Sequence, residues 1–211
     1  MARYSSTRLK SKWVKTKWLI KHRNLSKYVP RTMLFNRKNL KSMLSSYSTI
    51  YFKPSDGTCG VDIIRIKRQA RGYQTQLNST KSHLSTVVGL YQKLHRFFSK
   101  GRSFLLQQGI QLARTDGKPF DTRVMVQKTN KGRWVSTAII TKIGKPKKVT
   151  TNYHQGGKLG YFHTTMSKSG FKDALIKRRE RTLKRLGVTI GQNFDRHKKG
   201  IQGAGCGRGF G

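Results

Sequence analysis

Acidic side chains are the scarcest feature of this 211-residue sequence. Seven Asp and Glu residues stand against 46 Lys and Arg, which gives a formal net charge of +39. No acidic residue precedes Asp56, and none lies between Asp121 and Asp173, so the positive charge is spread along the chain. A fold with this charge attracts polyanions, and we expect a nucleic acid, another anionic polymer or a phosphate-rich ligand as partner. The plainer alternative is a generally basic surface that binds nucleic acid only non-specifically.

Cysteine and long apolar runs are scarce too. Cys59 and Cys206 are far apart, and neither has a second cysteine or a histidine at zinc-ligand spacing, which argues against a disulfide framework or a structural metal. No run approaches the ~18 apolar residues of a membrane span, and the first 23 residues lack the apolar core of a signal peptide. We therefore expect an intracellular protein without a membrane span.

The apolar content is low but sufficient for a folded protein. Hydrophobic residues make up 35% of the chain and aromatic residues 10%, which favours one domain or two small lobes over disorder. Periodicity and turn signals predict a helix over 36–47, with Asn36 as N-cap and with Leu40, Met43 and Leu44 on one face. The other predicted elements are a helix at 82–100, strands at 104–112, 120–128 and 133–143, and helices at 172–186 and 188–197. This order indicates an α+β fold.

The stretch YFKPSDGTCGVDIIRIKR, residues 51–68, predicts a β-hairpin with a lysine just before its turn. Pro54 closes the first strand, Asp56-Gly57 is a strong turn signal, and an apolar second strand follows. Glycines in the tip let backbone N–H groups approach an anion such as a phosphate. A plain surface hairpin is the alternative.

Three stretches together resemble one known family. They are YFKPSDGTCGVDIIRI, LLQQGIQLARTDGKPFDTRVMVQKTNKGRW and VTTNYHQGG. In this order and spacing, from about residue 11 to residue 211, they resemble the YheC/YheD family, spore-coat-associated proteins with an ATP-grasp domain. The resemblance implies two α+β lobes with ATP between them, an ATP-grasp-like fold, and an intracellular or spore-associated location. We predict a basic N-terminal segment with one helix at 1–47, a first lobe with the phosphate hairpin at 48–110, and a second lobe at 111–211.

The resemblance also implies roles for individual residues. Lys53 would contact the phosphates or the adenine edge, and Arg123 would face the γ-phosphate or the acyl-phosphate that forms from it. The remaining implied nucleotide-binding residues are those of the phosphate flap (Asp56, Gly57, Thr58, Gly60), the adenine hinge (Gln107, Gln108, Ile110) and the cleft wall (Asn152, Gly156, Gly157). From the residues alone, the favoured interpretation is a local surface ion pair for Asp121 and Arg123 and a turn asparagine for Asn152.

The sequence departs from the family's pattern at the residues that catalysis requires. The family's reaction needs Mg²⁺, which carboxylates near the C-terminus hold, but Gly207 and Gly211 stand where the family usually has aspartates, and a second metal-binding strand is missing. Three interpretations stay open. They are a carboxylate–amine ligase, an ATP-grasp module that binds nucleotide with little or no turnover, which we prefer, and a polyanion-binding protein. In the third, Trp13, Trp18 and Trp134 are available for stacking on bases, although Trp13 and Trp18 could equally anchor the basic N-terminal segment.

Overall fold

The computed structural model describes residues 9, 11–56, 61–97, 101–145, 149, 156–198, 201 and 203–209. Two antiparallel sheets, each with helices on one face, make up the described part of the chain. The α+β class predicted from the sequence is confirmed.

The first sheet has six strands in the order β1-β6-β2-β3-β4-β5. Its strands and the two helices that cover one of its faces are β1 (Thr32–Leu34), α2 (Arg37–Ser46), β2 (Thr49–Pro54), β3 (Ile64–Arg68), β4 (Tyr73–Leu77), β5 (Thr80–Leu84), α3 (Val87–His95) and β6 (Phe104–Gln108). Strand β2 alternates, burying Ile50 and Phe52 while Tyr51 and Lys53 point to the opposite face. Helix α2 begins as predicted, since the Asn36 side chain accepts a 2.7 Å bond from the Asn39 N–H.

The second sheet has the order β10-β9-β8-β11, with the short β7 paired to β8. Its elements are β7 (Arg114–Thr115), β8 (Lys118–Lys128), β9 (Trp134–Ile143), β10 (Lys158–Tyr161), α4 (Phe162–Lys168), α5 (Asp173–His197) and β11 (Gly203–Gly209). Helix α5 crosses this sheet very closely. A Cβ at Gly187 would lie 3.0 Å from side-chain atoms of Val124 and Val126, and one at Gly191 would lie 2.6 Å from the Trp134 ring.

The N-terminal helix α1 (Lys12–Lys21) packs on α5. The Trp18 ring stacks on His197 at 4.8 Å and meets Phe194 edge-on at 5.9 Å. Asn193 donates a 3.4 Å bond to the Trp18 carbonyl. Of the two roles left open for Trp18, the structure shows the anchoring one.

Several predicted boundaries are wrong. The helix predicted at 82–100 begins only after Thr86, whose hydroxyl accepts a bond from the Gly89 N–H, because residues 80–84 pair with β4 as strand β5. The strand predicted at 104–112 ends at Gln108, and the next N–H, that of Gly109, donates to the Thr49 carbonyl at 2.8 Å.

Helix boundaries elsewhere differ as well. The two helices predicted at 172–186 and 188–197 form one 25-residue helix, because Gly187 is used for close packing and does not end the helix. The described part of the segment 1–47 contains two α-helices, α1 and α2, where one helix was predicted. Strand β1 and α2 pack with the first sheet, and the lobe boundaries at residues 47 and 110 stay a prediction.

Candidate functional site

The predicted hairpin is present, with β2 and β3 antiparallel and Phe52 opposite Ile64. Lys53 lies near the end of β2, just before the turn. Tip residues Gly57, Thr58 and Gly60 lie outside the described residues.

The face of the first sheet opposite α2 and α3 carries a row of polar side chains, which we call the polar face. It consists of Thr32, Tyr51, Lys53, Arg65, Gln76 and Gln107. Strand pairing places these side chains side by side, since Tyr51 pairs with Gln107 on one neighbouring strand and with Arg65 on the other. Arg65 in turn donates a 2.6 Å bond to the Gln76 side chain. The polar face therefore presents two cations, a phenol, two amides and a hydroxyl across five strands.

Lys53 is the most strongly perturbed group on the polar face. Burial, with a smaller contribution from the positive charge of Lys12, lowers the pKa of Lys53 to about 8. Its Nζ donates a 2.5 Å bond to Gln107 Oε1, and Gln107 Nε2 donates a 2.8 Å bond to Thr32 Oγ1. Lys53 forms no salt bridge among the described residues. A buried ammonium held by a neutral amide is suited to receive an anion, which would supply the missing counter-charge.

The base of the hairpin is fixed by two basic residues from other parts of the chain. Lys12 donates to the carbonyls of Pro54 at 3.1 Å and Asp56 at 2.7 Å, and burial lowers the pKa of Lys12. Arg102 pairs with Asp56 at 3.5 Å and with Asp62 at 3.2 Å, so one guanidinium links both sides of the tip. The predicted flap residue Asp56 is thus engaged in a structural ion pair.

Arg123 lies on β8 in the second sheet. Its guanidinium makes a two-point ion pair with Asp121, at 2.5 and 3.2 Å. Thr122 and Val124 point toward α5, so alternation places Arg123 on the other face of the sheet. Strand β11 runs beside it, with Gly207 opposite Arg123 and Gly209 opposite Asp121. The local ion pair considered for these two residues is present, no hydrogen bond among the described residues joins Arg123 to Lys53, and a phosphate-binding role for Arg123 stays a prediction.

The predicted hinge and cleft-wall residues are only partly accounted for. The Gln108 N–H donates a 2.9 Å bond to the Arg31 carbonyl, which commits that N–H within the sheet, whereas Ile110 is exposed. Gly156 has a positive φ of 84°, and Gly157 is buried ahead of β10. Asn152 lies outside the described residues. The nucleotide-binding roles of these residues stay predictions.

A cavity of about 190 Å³ adjoins Gln107. It is lined mainly by apolar side chains from α1, from residues 25–30 and from α5, together with Thr122 of β8. The Thr122 hydroxyl is fully buried and has no hydrogen-bond partner among the described residues. The cavity therefore lies where the first and second sheets approach each other.

The acidic side chains of the described residues are dispersed. No group of three or more His, Cys, Asp or Glu side chains gathers anywhere in the described residues. Asp121, the carboxylate beside β11, is already bound by Arg123, and strand β11 places glycines opposite both residues.

The fold and the sequence together define the class of protein. A family model described as YheC/D like ATP-grasp matches residues 2–205, and the chain belongs to this family. Its fold is α+β and ATP-grasp-like. The sequence is similar to the endospore coat-associated protein YheD of Bacillus subtilis (strain 168), with 31% identity over 156 residues. That match covers 70% of this chain, and the chain spans 34% of the relative's length.

Two solved structures resemble the chain more distantly. D-cycloserine synthetase DcsG matches with a TM-score of 0.49 and 14% identity, over 90% of this chain and 56% of that one. The C-terminal domain of K. lactis Pby1, described as an ATP-grasp enzyme interacting with the mRNA decapping enzyme Dcp2, matches with a TM-score of 0.46 and 12% identity, over 93% and 57%. At these scores the two structures carry no argument about function.

None of the helices in the described part of the chain is long and apolar enough to cross a membrane.

Sequence reasoning proposed Lys53 and Gln107, whose nucleotide-binding roles stay predictions, and did not include the side chains that lie beside them. Tyr51 and Arg65 could have been found from strand alternation, since both fall in the predicted hairpin on the same face as Lys53. Thr32 and Lys12 gave no local signal, because they reach the site from strands and helices distant in sequence.

Proposed function

We propose that this chain is a nucleotide-binding domain that holds ATP against the polar face of the first sheet. The observation that carries the proposal is the buried Lys53 ammonium, whose pKa is lowered to about 8 and whose close partner is the neutral Gln107 amide. Family membership supports the choice of ATP as the anion.

The polar face can bind a triphosphate through its own side chains. A phosphate oxygen would replace Gln107 Oε1 as the acceptor of the hydrogen bond from the Lys53 ammonium. Arg65, which lies opposite Tyr51 on the neighbouring strand, would add a second cation. Burial raises the pKa of Tyr51, so its hydroxyl stays protonated and able to donate at neutral pH. The released Gln107 amide and the apolar cavity beside it would accept the adenine ring, whose faces are apolar and whose edges are polar.

ATP affinity is expected to depend on pH in a defined direction. Lys53 binds phosphate only when protonated, and its pKa in the free protein is about 8. Affinity should therefore be nearly constant below pH 7 and fall as the pH rises through 8, by about tenfold for each pH unit above the pKa. Isothermal titration calorimetry of ATP at pH 6.5, 7.5, 8.5 and 9.5 measures this. An affinity that does not change between pH 7.5 and 9.5 would contradict the role of Lys53.

We propose further that this polypeptide binds ATP with little or no turnover. Phosphoryl transfer needs carboxylates that hold Mg²⁺ at the phosphates. Six of the seven acidic residues are instead engaged by basic side chains, with Arg102 on Asp56 and Asp62, Arg123 on Asp121, Lys177 and His163 on Asp173, Lys184 on Glu180, and Lys128 on Asp195. A coupled assay with ATP, Mg²⁺ and amino-acid acceptors should show no ADP above background. A steady Mg²⁺-dependent ADP signal that Lys53→Met abolishes would restore the ligase interpretation.

A second candidate function is polyanion binding, which the net charge of +39 favours. Binding to nucleic acid should weaken with salt, with log K falling by about 0.9 for each phosphate neutralised per decade of salt concentration. Fluorescence anisotropy with a labelled DNA duplex between 50 and 300 mM KCl tests this. The absence of binding at 50 mM KCl, or an affinity insensitive to salt, would exclude polyanion binding.

An association with the spore coat is proposed only from the name of the similar YheD protein.

A further inference from the structure

Helix α5 carries a line of arginines on its outer face. Arg178, Arg181, Arg185 and Arg196 are all exposed. At 3.6 residues per turn they fall within about 60° of the helix circumference. The opposite side of the helix is buried, through residues such as Ile176, Leu183 and Phe194. We call these four residues the arginine line.

The arginine line has no acidic partner among the described residues. Helix α5 contains three acidic residues, and lysines pair with all of them. Asp173 pairs with Lys177 at 2.8 Å, Glu180 with Lys184 at 2.6 Å, and Asp195 with Lys128 at 2.7 Å. The lysines therefore neutralise the acids of this helix, and the four guanidiniums keep their full charge for an external anion.

We propose that the arginine line is a docking surface for the phosphate backbone of duplex DNA. This inference rests on the polyanion binding proposed above and gives it a location. From Arg178 to Arg196 the line extends about 27 Å at 1.5 Å per residue, along a rigid helix. Arg178, Arg181 and Arg185 lie within about 11 Å of one another along the helix axis, and Arg196 lies about 17 Å further on. The first three can therefore contact one stretch of phosphate backbone and Arg196 a second stretch, and each guanidinium can bind phosphate oxygens at two points.

The composition of this face favours duplex over single-stranded nucleic acid. Proteins that hold single strands stack bases on aromatic side chains. The positions between the arginines on this face are Thr189 and Gln192, and neither is aromatic. B-form DNA is favoured over duplex RNA because a helix that reaches the phosphates bordering a groove fits the wide major groove of B-form DNA and not the deep and narrow groove of A-form RNA.

A matched pair of variants tests the location. The first carries Arg→Gln substitutions at the four positions of the arginine line. The control removes the same number of charges from helix α2 and from the connection between β3 and β4, with Gln at Arg37, Lys38, Lys41 and Arg71, all of which are exposed. Glutamine preserves helix propensity at the helical positions of both variants. Neither set includes a residue of the polar face.

Anisotropy with a labelled 20-base-pair DNA duplex in 50 mM KCl is the readout. We expect the arginine-line variant to lose affinity at least about tenfold and its salt slope to flatten by about 3.6, whereas the control should lose less than about threefold. Equal losses in the two variants would show that binding is diffuse and would overturn the inference while leaving polyanion binding intact. No binding by the unmodified chain would overturn both.

Two further arms keep the test decisive. Tighter binding of duplex RNA or of single-stranded DNA than of duplex DNA would contradict the proposed partner. If circular dichroism shows that the fourfold variant does not fold, the double variant Arg178→Gln/Arg185→Gln replaces it. The salt slope should then flatten by about 1.8, and Arg37→Gln/Lys41→Gln is the control.

Discussion

Replacing Lys53 with methionine is expected to weaken ATP binding by about a hundredfold. Methionine fills the same buried volume as the lysine stem, so the substitution removes the charge with little change in packing. A hydrogen bond to a charged group contributes about 1.5–3 kcal/mol, and the buried position of the ammonium places this bond at the upper end of the range. A loss of about 2.7 kcal/mol corresponds to a hundredfold change in Kd. Titration calorimetry at pH 7.0 measures it.

The control for this prediction is Lys41→Met on α2, an exposed lysine on the other side of the first sheet. It removes the same charge and should change the Kd for ATP by less than about twofold, since exposed charges are screened by salt. Equal losses in the two variants would mean that ATP is held by net charge alone. An unchanged Kd in Lys53→Met would remove Lys53 from the site.

Replacing Phe52 with alanine is expected to lower the free energy of unfolding by about 3–5 kcal/mol. The Phe52 ring is fully buried on the face of β2 opposite Lys53. It stacks on Phe104 at 4.5 Å and meets Phe35 edge-on at 4.9 Å, so truncation opens a cavity beside these two rings. Urea denaturation followed by circular dichroism measures the change.

Tyr161→Ala provides the comparison, because this aromatic side chain of β10 is 83% exposed. Its removal should change the stability by no more than about 0.5 kcal/mol. A loss below about 1 kcal/mol in Phe52→Ala would contradict the packing described for the first sheet.

The features that the sequence predicted correctly are those with strong local signals. Helix α2 has an N-cap asparagine and three apolar residues in helical register, and both act as expected. The hairpin around Lys53 and the β8–β9 hairpin have turn signals between strand-forming runs, and both are present. In these segments the local preference and the tertiary packing agree.

The predictions failed where tertiary contacts override a local signal. Residues 82–84 fit a helical pattern, but pairing with β4 makes them a strand. Gly187 resembles a helix end, but the close approach of Val124 and Val126 to α5 favours a glycine there and the helix continues. The partners that fix the site are of the same kind, since Thr32 and Lys12 reach Gln107 and the hairpin base across long stretches of sequence. No local pattern encodes such contacts.

The location of the nucleotide is the central claim, and a crystal structure of the chain with a non-hydrolysable ATP analogue tests it most directly. We predict a phosphate oxygen within 3.2 Å of Lys53 Nζ, in place of the Gln107 Oε1 that now accepts at 2.5 Å, and adenine in the cavity beside Gln107. An analogue bound on the α2 and α3 side of the first sheet, or along α5 with the Lys53–Gln107 bond intact, would contradict the account.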